Sequence, residues 1–123
     1  MEGVALTLAD ARDCLAAAGA AIERVGVTGG GAKSLLWTRM IAAATGFTVV
    51  RMQGGETGPA FGAARLARMA ATGEPPEIVC RPPEIADVTA PDPKLAAMFA
   101  AERDRFKALY GALKEEFRRP APT

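Results

Sequence analysis

The run Val25-Gly26-Val27-Thr28-Gly29-Gly30-Gly31-Ala32-Lys33-Ser34 constrains this chain more than any other, because a short β-branched stretch breaks into three glycines and then enters a helical pattern. A strand that ends in glycine must turn tightly, and a turn without side chains lets the backbone come close to an anion. The amides and dipole that open the next helix favour the same kind of ligand. Phosphate binding is the expected role, beside the plainer reading that glycine after a strand serves only the turn.

Around this turn the apolar periodicity alternates between two types. Val4, Leu8, Ala11, Leu15 and Ala18 recur at spacings of four and three, which predicts a first helix with that stripe inward and an end near Gly19. Residues 24–28 follow as a buried strand. Ser34 is placed as N-cap and Gly46 as C-terminal stop of a second helix, with Leu35, Leu36, Met40, Ala43 and Ala44 in register. Residues 48–52 form a second strand and 53–58 a loop. Pro59 then suits the first turn of a third helix, whose Phe61, Ala64, Leu66 and Met69 face the core as far as Gly73. The order α-β-α-β-α implies an α/β fold with parallel strands joined by a right-handed crossover.

Between Glu74 and Pro93 fall six of the nine prolines, which predicts an extended surface crossing over 74–93, since helix interiors and central strands exclude them. Asp92 before Pro93 opens a long C-terminal helix over 94–118, spanning roughly 39 Å. Leu95, Phe99, Phe106, Leu109, Leu113 and Phe117 form its apolar side, and Glu102, Arg103, Asp104, Lys107, Lys114 and Glu115 its charged side. Residues 119–123 read as an unstructured tail. Two strands with three or four helices leave open sheet edges and a thinly covered face, so the chain is expected to be part of something larger. The lack of a capping residue ahead of the first helix points the same way.

Fifteen Lys and Arg against fourteen Asp and Glu give a net charge of +1, so no summed field marks a nucleic-acid or anionic-membrane partner. Any bound anion must be held locally. The absence of histidine removes a His-dependent triad, a HExxH zinc site and a His general base from this chain. Cys14 and Cys80 lie in unlike contexts, one helical and one proline-rich, which favours reduced thiols and a cytoplasmic setting. The opening residues, with an early Glu2 and no long apolar run, resemble neither a signal peptide nor a spanning helix.

Neither of two familiar glycine loops fits the turn. A Walker A loop needs glycine directly before its Lys-Ser pair, where Ala32 stands, and Val27 falls within the span. A dinucleotide fingerprint begun at Gly29 needs a third glycine where Ser34 stands and an acidic residue closing the next strand, which instead ends in Arg51 and Met52.

The stretch from Thr28 to Trp37 resembles the adenosine-side loop of the FGGY carbohydrate kinases, in the GGGA(K/R)SxxW form of the xylulokinase branch. Gly54-Gly55-Glu56-Thr57-Gly58-Pro59-Ala60-Phe61-Gly62-Ala63-Ala64-Arg65-Leu66-Ala67 is similar to that branch's second motif, and Glu2-Gly3-Val4-Ala5 to the EGVA start of its preceding helix. The resemblance spans about residues 2–73 and is looser in the last helix. It implies that 1–73 is the C-terminal portion of a ribonuclease H-like, actin-like ATPase domain, with ATP and Mg²⁺ as cofactors.

The same resemblance implies that ATP lies against the glycine turn. Gly29 and Gly30 would flank phosphates and ribose, with Gly31, Ala32 and Lys33 along the turn and Ser34 reaching toward the nucleoside. An N-cap role for Ser34 is compatible with that contact. Lys33, where the pattern also accepts Arg, reads more readily as solvated surface. Trp37 is assigned to the core, Gly62-Ala63-Ala64 to close packing, and Glu56 to a helix dipole.

The catalytic aspartate is implied to lie upstream, outside this chain, and the sugar to be held by an N-terminal domain. Asp10 and Asp13 belong to the first helix, and Asp10 reads as a solvated face residue. The chain is therefore expected to be an ATP-binding piece, inactive alone, of an enzyme that phosphorylates D-xylulose. Another FGGY kinase, for ribulose, gluconate or glycerol, or a non-enzymatic nucleotide-binding or assembly module, stays open, as does a homodimer of the full-length protein.

Overall fold

The computed structural model describes residues 1–119; Pro120, Ala121, Pro122 and Thr123, the rest of the expected tail, lie outside the described residues. The elements in chain order are α1 (Glu2–Ala17), β1 (Arg24–Val27), α2 (Leu35–Thr45), β2 (Thr48–Met52), α3 (Pro59–Thr72), α4 (Pro76–Val79), β3 (Ile85–Thr89) and α5 (Pro93–Leu113). Short 3₁₀ turns occupy Gly30–Lys33, Gly55–Thr57 and Glu116–Arg118.

Local chemistry sets most of these boundaries. Ser34 Oγ accepts the Trp37 amide at 3.2 Å and caps α2, while Asp92 Oδ1 accepts the Leu95 amide at 2.9 Å and caps α5. α2 and α3 end on left-handed glycines, Gly46 at φ 75° and Gly73 at φ 69°. The last helix ends at Leu113, short of the expected Arg118, and a 3₁₀ turn follows it.

β1 and β2 run parallel, with Val25 opposite Val49 and Val27 opposite Arg51, and α2 is the crossover between them. β3 returns antiparallel to β2, so the sheet has three strands in the order β1-β2-β3. The crossing expected over 74–93 is extended and largely exposed at β3, but it pairs into the sheet and also contains the short helix α4. Pro82, Pro83, Pro91 and Pro93 flank the third strand without entering it, and the strand lies at a sheet edge. Pro76 opens α4 at its first turn, where no N–H is needed.

One core cluster joins Ala5, Leu6 and Ala9 of α1, Met40, Ala43 and Ala44 of α2, and Phe99 of α5, with Leu95 and Phe106 packed against it. A second joins Ile41 and Ala42 of α2 to Val49 of β2, beneath Val25 and Val27. Trp37 packs against both clusters, as the core assignment requires.

The inward faces of three helices differ from expectation. Val4 and Leu15 are 58% and 48% exposed, and α1 instead buries Ala5, Leu6 and Ala9. Alanines on both α1 and α2 let the helices approach closely, so the small residues mark the contact. α3 buries no residue, and Phe61 and Leu66 are exposed, because its main neighbour among the described residues is the short α4. The second half of the predicted stripe, Leu109 and Leu113 at the end of α5 and Phe117 in the turn beyond it, is likewise exposed.

Polar contacts seat α5 on α1. Arg103 Nη2 donates to the Ala9 carbonyl at 3.1 Å, to Asp10 Oδ1 at 3.2 Å and to Asp13 Oδ2, and Lys107 Nζ lies 3.5 Å from Asp10. Asp10 is thus an ion-pair partner and not the solvated residue expected. Cys14 and Cys80 are free and exposed. No helix among the described residues is long and apolar enough to cross a membrane.

Candidate functional site

The parallel strands β1 and β2 end side by side, and the chain leaves each through a glycine loop. The crevice beyond the carboxyl ends of parallel strands is where α/β folds bind ligands. The first loop carries the residues singled out from the sequence. Gly29 has φ 86° and ψ 179°, a region open essentially to glycine alone. Its amide donates to the Gly55 carbonyl across 2.8 Å.

Beyond Gly29 the chain closes a 3₁₀ turn, with the Ala32 amide donating to the Gly29 carbonyl at 3.0 Å and the Ser34 amide to the Gly31 carbonyl at 3.1 Å. The Gly30 and Gly31 amides have no acceptor among the described residues. Gly30, Gly31 and Lys33 are exposed, whereas Ala32 is 2% exposed and its amide is engaged. Ala32 therefore shapes the turn and presents little surface. Ser34 is half-buried; its hydroxyl oxygen accepts from Trp37 and keeps its own proton to donate. The indole backs the turn, since a methyl on Gly31 would lie 3.3 Å from Trp37 Cδ1.

The second loop, to which sequence reasoning gave no site role, lies directly against the first. Gly54 is left-handed at φ 68°, and Gly58, at φ 57° and ψ −139°, is again in a conformation that side chains avoid. Thr57 Oγ1 donates to the Gly54 carbonyl at 2.6 Å, which tightens the turn. The root of the loop is tied to the chain just before β3, where the Gln53 amide donates to the Glu84 carbonyl at 2.8 Å and Gln53 Nε2 to Glu84 Oε2 at 3.0 Å. A signal was present in the sequence, since a glycine cluster follows each of the two parallel strands.

Chemically, the site can receive an anion on unpaired amides beside the N-terminus of α2, with Lys33 as an exposed cation on the same turn. Glu56, the carboxylate of the second loop, is exposed. No group of three or more His, Cys, Asp or Glu side chains that could hold a metal occurs among the described residues. The loops offer positioning and a local field.

The family model described as "FGGY family of carbohydrate kinases, C-terminal domain" matches residues 1–71, more than half of the 123. This chain belongs to the FGGY family of carbohydrate kinases. Both glycine loops fall within the matched region of this FGGY chain. The xylulose kinase of Escherichia coli (strain K12) is 38% identical to it over 114 residues, and that of Klebsiella pneumoniae 33% over 115, covering 92% and 93% of the chain. The crystal structure of a xyloylose kinase from Brucella ovis superposes with a TM-score of 0.73 at 38% identity over 93% of the chain. That of the xylulose kinase from Rhodospirillum rubrum gives 0.68 at 26% identity over 96%. The FGGY chain spans about a quarter, 24%, of the length of each of these relatives.

Proposed function

We propose that this FGGY chain forms part of the ATP site of a sugar kinase, within a ribonuclease H-like, actin-like ATPase domain to which 1–73 belongs. The parent protein transfers the γ-phosphate of ATP to the 5-hydroxyl of D-xylulose. The observation that carries the reading is the meeting of two glycine loops beyond β1 and β2, with the Gly30 and Gly31 amides unpaired on an exposed turn. The choice of xylulose rests on the relatives, two of which are xylulose kinases by name over more than nine-tenths of this chain.

The fit to a nucleotide is local. Gly29 and Gly30 have open space where a Cβ would stand, so phosphate and ribose can approach the backbone. The amides of Gly30 and Gly31 hold phosphate oxygens, Gly31 and Ala32 fix the curvature of the turn, and Lys33 adds charge from solvent. Ser34 donates its free hydroxyl proton toward the nucleoside while still capping α2.

Mg²⁺ bound across the phosphates would neutralise charge developing on the transferred group. No group of three or more His, Cys, Asp or Glu side chains among the described residues would hold it by itself, and the reading needs none, since phosphate oxygens and water supply most of the ligands of Mg²⁺. The proton of the attacking hydroxyl goes to a carboxylate outside it. What this chain contributes is orientation of the nucleotide, and alone it is expected to be inactive.

The test uses the parent protein with D-xylulose, ribulose, gluconate and glycerol as acceptors, and amide exchange with and without ATP. ATP-dependent phosphorylation of D-xylulose ahead of the others, with slowed exchange at Gly30 and Gly31, is expected. A preference for another sugar overturns the substrate assignment, and unchanged exchange at the turn overturns the nucleotide site.

A further inference from the structure

The Gly55 carbonyl accepts two amides at once, that of Gly29 at 2.8 Å and that of Gly58 at 3.2 Å. A carbonyl oxygen has two lone pairs, and here both are committed, one to each glycine loop. The donors sit in two strained backbone conformations, Gly29 at φ 86° and ψ 179°, and Gly58 at φ 57° and ψ −139°. Such conformations persist only where surrounding contacts over-determine them. The two glycines are also neighbours: a Cβ built on Gly58 would lie 3.6 Å from Gly29 Cα and 3.8 Å from its nitrogen. That separation is wide enough for a methyl group, so the need for glycine at position 58 comes from its backbone angles.

We propose that the loop over 54–58 is a brace that sets nucleotide affinity, with Gly55 and Gly58 as positioning residues for the turn that follows β1. This rests on the nucleotide reading above and adds to it. A side chain at position 58 drives φ negative, which displaces the shared carbonyl and releases the Gly29 amide. The peptide plane of Gly29 then rotates, and with it the unpaired amides of Gly30 and Gly31. Thr57 acts in the same brace, because its hydroxyl and its amide both donate to the Gly54 carbonyl, at 2.6 and 3.1 Å. The sugar is not expected to sense the brace, since no part of this loop is assigned to it.

The experiment compares Gly58→Ala, Thr57→Val and Gly29→Ala in the full-length parent kinase. KM for ATP, KM for sugar, kcat and ADP affinity by calorimetry are read for each. Gly58→Ala is expected to raise KM for ATP and the ADP dissociation constant about tenfold, with kcat and KM for sugar within about twofold of the parent. Loss of fold stability alone would not split the two KM values in this way.

If Gly29→Ala raises KM for ATP and Gly58→Ala does not, the brace is overturned and the nucleotide reading stands. If neither variant changes ATP or ADP affinity, the nucleotide reading itself fails. Should Gly58→Ala not fold, Thr57→Val decides at an exposed position. An increase of about threefold in KM for ATP alone supports the brace, and an unchanged value overturns it.

Discussion

Arg12 of α1 donates through Nη1 to the Thr45 carbonyl at 2.8 Å, so the last turn of α2 ends on a cation supplied by a neighbouring helix. Thr45 is itself buried, its hydroxyl donating to the Ile41 carbonyl at 2.7 Å and accepting from the Phe47 amide at 3.3 Å. A cation there satisfies an orphan carbonyl and faces the negative end of the helix dipole. The other end of the same helix carries Ser34 and the glycine turn. In the parent protein, Arg12→Ala is expected to lower stability by about 1–2 kcal/mol. Urea unfolding checks this, and an unchanged midpoint at unchanged slope would contradict it.

Asp13 gives a pH dependence of known sign. Hydrogen bonds from Arg12 first, and then from Arg103, hold its carboxyl below the usual carboxylate range, against a smaller opposing effect of desolvation. The unfolded chain, with an ordinary value of about 3.9, therefore takes up the proton more readily than the native one. The stabilisation is fully present above that value and is lost as pH falls through the lowered native one. Asp13→Asn is expected to lose less stability than the unsubstituted protein between pH 6 and pH 3. Parallel losses across that window would remove Asp13 from the account.

Ser34 separates capping from ligand contact. Ser34→Ala removes the acceptor for the Trp37 amide and is expected to cost about 1 kcal/mol, whereas Ser34→Gly costs only a few tenths. If the hydroxyl also reaches the nucleoside, both variants raise KM for ATP by a similar factor although their stabilities differ. If KM for ATP stays at the parent value in both, the hydroxyl is a cap and nothing more.

Val49 and Val88 contrast core with edge. Val49 in β2 is 1% exposed beneath α2, while Val88 in β3 is 54% exposed. Val49→Ala is expected to cost about 2–3 kcal/mol, and Val88→Ala less than about 0.5 kcal/mol, by urea unfolding. Equal costs would mean that β3 is covered in the parent protein by something outside this chain.

Much of the fold was legible because its punctuation is local. Ser34, Gly46, Gly73 and Asp92 act where the sequence placed them, and β2 covers the expected residues, since caps and left-handed stops depend on only a few neighbours. β3 was hidden because prolines on both sides suggested an extended crossing, and pairing with β2 is a property of the tertiary fold. The buried face of α1 is not the one its larger side chains mark, because close approach to α2 selects small residues and Ala5 and Ala9 face the alanines of that helix. On α3 the apolar stripe exists, but no described element covers it. At the site, the glycines of the first loop stood out in the sequence. Their contact with Gly55 and Gly58 did not, because it joins loops separated by a helix and a strand.

The seating of α5 on α1 has a temporal side. Phe99 completes a cluster begun by Leu6, and Arg103 reaches the Ala9 carbonyl across 94 positions of sequence. On the ribosome, the opening helix emerges long before the partner that shelters it. Contacts this distant along the chain also slow closure in solution. Until α5 is made, the cluster of α1 and α2 lacks Phe99, an interval in which a chaperone or a stray apolar surface can bind there first.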